Sequence, residues 1–191
     1  AKNKHVVVLG GGDTAMDCVR TAKRQGALSV KCLYRRDRLN MPGSMREVQH
    51  AEEEGIEFIW LTAPEQYKGS NSVSAITAKK MRLGIADSSG RQSPEVVKNS
   101  MHEIPCDLAI KAFGFDPEDL QKSFKLPQLN ITGWGTISID FLTKMTSVKG
   151  VFAAGDIVRG ASLVVWAIKD GRDAAKNIES YLELKQKKKV A

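Results

Sequence analysis

Gly10, Gly12 and Ala15 follow the unbroken apolar run Val6 to Leu9 at the spacing G-x-G-x-x-A, with Gly11 completing a glycine triplet. Small residues at that spacing suit a dinucleotide pyrophosphate. The first permits a tight turn, the second lets backbone approach phosphate oxygens, and the third lets the next helix pack close to the strand. Asp13 and Thr14 open that helix, whose unpaired N–H groups and positive dipole end would face the phosphate. A glycine triplet by itself also marks plain turns, so the flanking elements decide its meaning.

A second group of chemically telling residues lies some twenty positions on. Where an NAD site places an acid to bind the ribose 2′-hydroxyl, this chain has Arg35 and Arg36, with Arg38 close by. Guanidinium forks meet phosphate oxygens through paired charge-assisted bonds, so a 2′-phosphate, and hence NADP(H) over NAD(H), is the expectation. A solvated basic loop is the competing reading. A third candidate is Gly155-Asp156, where Asp156 can accept a hydrogen bond from a sugar or ribityl hydroxyl. Free N–H groups near Ser162, Leu163 and Val164 could face an electron-rich ring edge or a phosphate.

These residues need elements to hold them. Val6–Leu9 reads as a strand buried on both faces, residues 14–25 as a helix with Ala15, Met16, Val19 and Ala22 inward and Gly26 closing it, and residues 29–34 as a second strand. Residues 45–54 form a polar helix ended by Gly55, with Glu52, Glu53 and Glu54 expected on its solvent face. Residues 56–60 are a third strand. From Ala63 to Glu103 the texture changes to short strands, read as a small antiparallel meander, with a strand at 74–86 and a turn from Asp87 to Arg91. Residues 106–117 are expected as a buried strand leaving the first domain through Gly114 and Pro117. A strand at 148–156 and a helix at 161–181 should build the second site.

The expected fold is therefore α/β: a Rossmann-like nucleotide-binding domain with a small antiparallel meander over residues 1–112, and the C-terminal part of a second, FAD-type dinucleotide-binding domain over 113–191. With 191 residues and 42% hydrophobic content the chain can bury one sizeable core or two smaller ones. No apolar run reaches the length of a membrane span, and the start leads straight into a strand without a signal peptide, so a cytoplasmic, membrane-free protein is expected. Cys18, Cys32 and Cys106 form no C-x-x-C pair and read as buried thiols. The formal charge of +7 owes four units to Lys185, Lys187, Lys188 and Lys189. A frayed, solvated tail explains them most simply, and an acidic protein or nucleic acid is the alternative partner of that tail.

Several motifs occur in an order that resembles one family. Gly10-Gly-Gly-Asp-Thr-Ala-Met-Asp17, Leu33-Tyr-Arg-Arg36, Met41-Pro-Gly-Ser44, Arg46-Glu47 and Glu53-Glu-Gly55 resemble the NADPH-binding domain of the small subunit of bacterial glutamate synthase, a unit that recurs in dihydropyrimidine dehydrogenase and related flavoproteins. Ala112-Phe-Gly-Phe-Asp-Pro117, Gly150-Val-Phe-Ala-Ala-Gly-Asp-Ile157 and residues 161–175 look like that superfamily's flavin-associated motifs. The resemblance implies that NADPH passes a hydride to FAD, and that electrons move through iron–sulfur clusters to a large subunit making glutamate from glutamine and 2-oxoglutarate. Gly10, Gly12, Asp13, Thr14 and Ala15 would hold the pyrophosphate and ribose, Arg35 and Arg36 the 2′-phosphate, and Asp156 with Ser162 to Val164 the FAD. The family's cysteine-rich cluster domain and first FAD glycine turn have no counterpart here. A fragment of a longer subunit is thus expected, with the large subunit and the missing N-terminal part as partners, an incomplete FAD site, and iron–sulfur clusters only in that part. A stand-alone NADPH-binding or scaffold module is the open alternative. A thioredoxin-reductase-like enzyme would need the absent C-x-x-C pair.

Overall fold

The computed structural model describes residues 1–88, 90 and 92–190, the side chains of 188–190 excepted. It divides into two compact units, Ala1–Gly114 and Phe115–Ala191. The first unit runs β1 (His5–Leu9), α1 (Asp13–Arg24), β2 (Ser29–Leu33), α2 (Met45–Glu53), β3 (Glu57–Ile59), β4 (Thr62–Lys68), β5 (Ala75–Ala86), β6 (Gln92–Val96), β7 (His102–Pro105) and β8 (Leu108–Lys111).

Four of these strands form a parallel sheet in the order β3-β2-β1-β8. β1 lies inside it, paired to β2 from His5↔Ser29 to Leu9↔Leu33 and to β8 from Val6↔Leu108 to Leu9↔Lys111. Its apolar run is unbroken because both faces are covered. Val6 and Val8 pack with Ala15, Met16 and Val19 of α1 and with Val48 and Ala51 of α2. Val7 and Leu9 pack on the other side with Ile76, Ala78, Ile104 and Cys106, contributed by or following the antiparallel strands. Helix α1 ends at Gly26 as expected, with the Ala27 N–H donating to the Ala22 carbonyl at 3.2 Å.

The antiparallel layer differs from a plain meander. β4, β5 and β6 follow one another, but β7 returns to pair with the first half of β5, from Ala75↔Pro105 to Ala78↔His102. β5 is long enough, at 12 residues, to take β4 and β7 on its first half and β6 on its second. In the turn after it the Gly90 N–H donates to the Asp87 carbonyl at 2.8 Å, and Ser89 and Arg91 lie outside the described residues.

Other expectations are corrected in the first unit. The segment from Cys106 gives only the short strand β8, and Phe113 and Gly114 beyond it are exposed, since the pairing partner β1 ends at Leu9. The acidic triplet is not simply a solvent face. Glu54 receives both Arg20 and Arg24, which hold its carboxyl below the usual range, Glu52 takes Arg38 at 2.6 Å, and Glu53 accepts from Gln49. Cys32 and Cys106 are buried, whereas Cys18 is half-buried. Burial pushes the Cys32 thiol up to about 12.

The second unit holds α3 (Leu120–Ser123), α4 (Asp156–Arg159) and α5 (Val164–Val190), joined by segments whose β-pairing among the described residues is limited to the isolated bridges Ile131↔Ile137, Ile139↔Thr146 and Met145↔Phe152. The strand expected at 148–156 is therefore a single bridge at Phe152 among the described residues. Helix α5 starts at Val164, three residues later than expected, and continues through Lys185 and Lys187 to Val190 in place of a frayed tail. The side chains of Lys188 and Lys189 lie outside the described residues. No described helix is long and apolar enough to cross a membrane.

Candidate functional site

The C-terminal ends of β1, β2 and β8 bring the first-unit candidates together. Gly10 leaves β1 with φ +147°, a conformation closed to side chains, and its N–H donates to the Leu33 carbonyl at 3.1 Å. A Cβ there would overlap the Ala112 carbonyl oxygen, so Gly10 is needed for the turn to pass the end of β8. Gly11 lies on the Tyr34 ring, which a Cβ would also penetrate. Gly12 differs. It caps α1 in ordinary extended backbone, φ −90° and ψ −179°, and a Cβ on it would meet nothing within 4 Å. Open space stands in front of the second glycine, room that a bound group could enter.

Asp13 and Thr14 are exposed at the start of α1, and Ala15 is fully buried against β1. The Ala15 and Met16 N–H groups donate to the Gly12 carbonyl at 2.9 and 3.3 Å, which leaves the amides before them without helical acceptors. The strap Met41–Ser44 lies against this turn: the Gly43 N–H donates to the Gly11 carbonyl at 2.9 Å, and the Ser44 N–H to Asp13 Oδ1 at 3.1 Å.

The arginine loop opens directly after β2. The Leu61 and Thr62 N–H groups donate to the carbonyls of Arg36 and Tyr34 at 2.9 and 3.0 Å, and the Tyr34 hydroxyl donates to the Asn40 carbonyl at 2.8 Å, closing the loop. Arg35 is exposed. Arg36 is half-buried, and its Nε is fully buried with no hydrogen-bond partner among the described residues. An unsatisfied buried donor costs about 1–3 kcal/mol, and an anion at the loop would supply its acceptor. Arg38 does not join the other two, since its guanidinium is engaged by Glu52 of α2.

In the second unit Gly155 adopts φ +78° and Asp156, exposed, opens the four-residue α4. Ala161, Ser162, Leu163 and Val164 are exposed, and the Leu163 carbonyl accepts from the Trp166 N–H at 2.9 Å at the start of α5. α4 and α5 are locked together by Asp170, only 3% exposed. Its carboxylate takes Arg159 through two bonds, Nε to Oδ2 and Nη2 to Oδ1, the latter 2.8 Å, and has Lys144 Nζ at 3.7 Å. The Arg159 hydrogen bonds hold the Asp170 carboxyl down at about 2. The Arg159 guanidinium also lies 5.2 Å from the Trp166 ring centre.

Three features escape a reading of the sequence. These are the Tyr34 buttress, the strap on the glycine turn and the Asp170 lock. Gly43 between Pro42 and Ser44 signalled a close approach but not to what, and an acid within a helix names no partner eleven residues upstream.

A parallel sheet of this order, with its glycine turn at the C-terminal end of β1, defines a dinucleotide-binding protein of the Rossmann type. The chain belongs to the pyridine nucleotide-disulphide oxidoreductase family, whose model matches residues 1–171. It is 63% identical over 191 residues to the glutamate synthase (NADPH) small chain of Azospirillum brasilense, covering 100% of this chain and 40% of that protein. The corresponding small chain of Escherichia coli K12 is 46% identical over 188 residues, 96% of this chain and 40% of that one. The chain thus spans about two fifths of the length of these relatives. Among solved structures, the thioredoxin reductase of Lactococcus lactis aligns with a TM-score of 0.75 at 25% identity, covering 94% of this chain and 53% of that one.

Proposed function

We propose that residues 1–112 bind NADPH and that residues 113–191 are the C-terminal portion of an FAD-binding domain within a glutamate synthase small subunit. The observation that carries the first part is the pairing of an open approach at Gly12 with the orphaned Arg36 Nε, each at the C-terminal end of a neighbouring parallel strand. The pyrophosphate would lie on the turn from Gly10 to Ala15, against the free amides of Asp13 and Thr14, and Arg35 and Arg36 would take the 2′-phosphate. Asp156 and Ser162, Leu163 and Val164, which lead into α5, would face the flavin, with Gly155 shaping the backbone beside Asp156. When bound, NADPH would supply hydride-transfer chemistry and FAD would be the group that receives it. The chain's own residues contribute placement and electrostatics, and no general acid or base is required.

The similarity to glutamate synthase (NADPH) small chains supports the assignment to NADPH-dependent glutamate synthesis, with a large subunit as partner. In the second unit Trp134, Phe141, Leu142, Leu163, Val164 and Val165 are each more than half exposed, apolar surface that the remainder of a longer subunit would cover. We place that subunit in the cytoplasm, with its iron–sulfur clusters outside this chain.

Calorimetric titration of the chain with NADPH and NADH tests the first step. NADPH should bind at least about tenfold more tightly, roughly 1.4 kcal/mol, and replacing Arg35 and Arg36 with Ala should remove that advantage while leaving NADH binding unchanged. Equal affinities in the native chain, or equal losses in the variant, would refute the 2′-phosphate assignment.

A further inference from the structure

Asp13 presents a problem for the site just described. It puts a carboxylate in the first turn of α1, beside the position a pyrophosphate should occupy, where like charges repel. The structure gives that carboxylate another occupation. Its Oδ1 accepts the Ser44 N–H at 3.1 Å, and Ser44 is the N-cap of α2, whose own side chain makes no capping bond. The acid therefore neutralises the start of a second helix and ties it to the first.

The same junction is closed from the other side. Gly43 is buried, donates to the Gly11 carbonyl, and has little room for a side chain: a Cβ would come to a tight 3.0 Å from that oxygen and 3.5 Å from the Gly12 carbonyl carbon. Met41, 7% exposed, anchors the strap in the core beside Ala15 and Met16. The peptide between Gly11 and Gly12 is consequently held by the strap on one side and the Tyr34 ring on the other.

We infer that Asp13 is a positioning residue: by latching Ser44 it clamps the Met41–Ser44 strap onto the glycine turn and sets the amides of that turn in their binding conformation before the dinucleotide arrives. This rests on the NADPH reading above. The carboxylate is spent on Ser44, and the affinity gained comes from not having to order the turn on binding.

Two readouts test it in the 191-residue chain. Amide hydrogen exchange at Ser44, followed by NMR, reads the latch without any ligand, and titration with NADPH and NADH reads its effect on the site. Asp13→Ala should expose the Ser44 amide to exchange and weaken both cofactors to the same extent, about tenfold, because the pyrophosphate is common to them. Asp13→Asn keeps an oxygen that accepts the same N–H, so it should retain Ser44 protection and bind NADPH at least as tightly as the native chain. Ser44→Pro removes the donor at a φ of −56° that proline adopts, should weaken both cofactors at least as much as Asp13→Ala because the carboxylate is left unpaired, and should add nothing to Asp13→Ala in the double variant. Additive losses in the double variant, or an Asp13→Asn loss as large as that of Asp13→Ala, would show a direct contact to the cofactor and overturn the inference. Unchanged Ser44 exchange in Asp13→Ala would overturn the latch itself. Failure of the native chain to bind either cofactor while Ser44 stays protected would overturn the NADPH reading, and the positioning role with it, but leave the latch as a structural bond.

Discussion

Alanine at Gly10 and alanine at Gly12 should have opposite consequences, although both are glycines of one turn. At Gly10 the backbone sits at φ +147° and a methyl would overlap the carbonyl oxygen of Ala112 and lie 2.9 Å from its carbon. The conformational strain alone is about 1–3 kcal/mol, and the obstacle is backbone pinned by the Ala112 N–H bond to the Leu9 carbonyl at 2.8 Å, so it cannot swing aside. The total should exceed about 4 kcal/mol, most of the margin of an ordinary domain of about 5–15 kcal/mol. At Gly12 the backbone is extended and a methyl touches nothing. Reduced freedom of the unfolded chain, about 0.4–1 kcal/mol, roughly offsets the poorer cap, so stability should stay within about 1 kcal/mol of the native value. The methyl would, however, occupy the space through which the proposed pyrophosphate would approach. Urea unfolding followed by circular dichroism, with calorimetric titration of NADPH on the same samples, separates the two effects. Gly10→Ala should unfold at much lower urea or fail to fold. Gly12→Ala should unfold as the native chain does and bind NADPH at least about tenfold more weakly, a loss of roughly 1.4 kcal/mol or more. Native-like NADPH affinity in a folded Gly12→Ala chain would refute the placement of the pyrophosphate.

The other predictions concern groups whose ionisation the fold has shifted. Asp170 is held down at about 2 by Arg159, below the ordinary carboxyl value near 4, so its stabilising contribution is complete above about pH 4 and disappears as the pH falls towards 2. Over that interval Trp166 fluorescence should change as Arg159 is released from its carboxylate, and Asp170→Asn should abolish the transition while lowering the melting temperature at neutral pH. An unchanged acid transition in the variant would assign it to other carboxyls. For the cysteines, burial raises Cys32 to about 12 and also raises Cys18 and Cys106, so a thiol reagent at pH 8 should label the native chain slowly. Half-buried Cys18 should react before Cys32 and Cys106, which should need denaturant, as peptide mapping of the labelled chain would reveal.

The first unit was legible to the extent that its signals are local. An apolar run flanked by glycines, a 3.6-residue periodicity and a glycine stop identify β1, α1 and β2 without knowledge of their neighbours, because buried parallel strands and amphipathic helices advertise their surroundings in their own side chains. The second unit was less legible. Residues 148–156 carry the composition of a strand, yet a strand exists only where a partner offers its ladder, and among the described residues only Phe152 finds a bridge, to Met145. The late start of α5 has the same cause in reverse: Ser162 and Leu163 could be helical, but the preceding short helix ends at Gly160, and the Leu163 carbonyl becomes the first acceptor.

Residue type and spacing alone determined that this chain carries a tight glycine turn between a buried strand and a helix, a pair of arginines at the end of the next strand, and a sheet built from parallel strands. Tertiary structure alone decided which of these groups are available. Arg38 is withdrawn by Glu52, Arg36 keeps a buried donor without an acceptor, and Asp13 turns from the place a phosphate would occupy to hold Ser44, thirty-one residues away. The physical reason is that a residue's type fixes what it can bond to, whereas the competition among partners is settled only when distant segments meet. A charge or an N–H left over from that competition is what remains for a ligand.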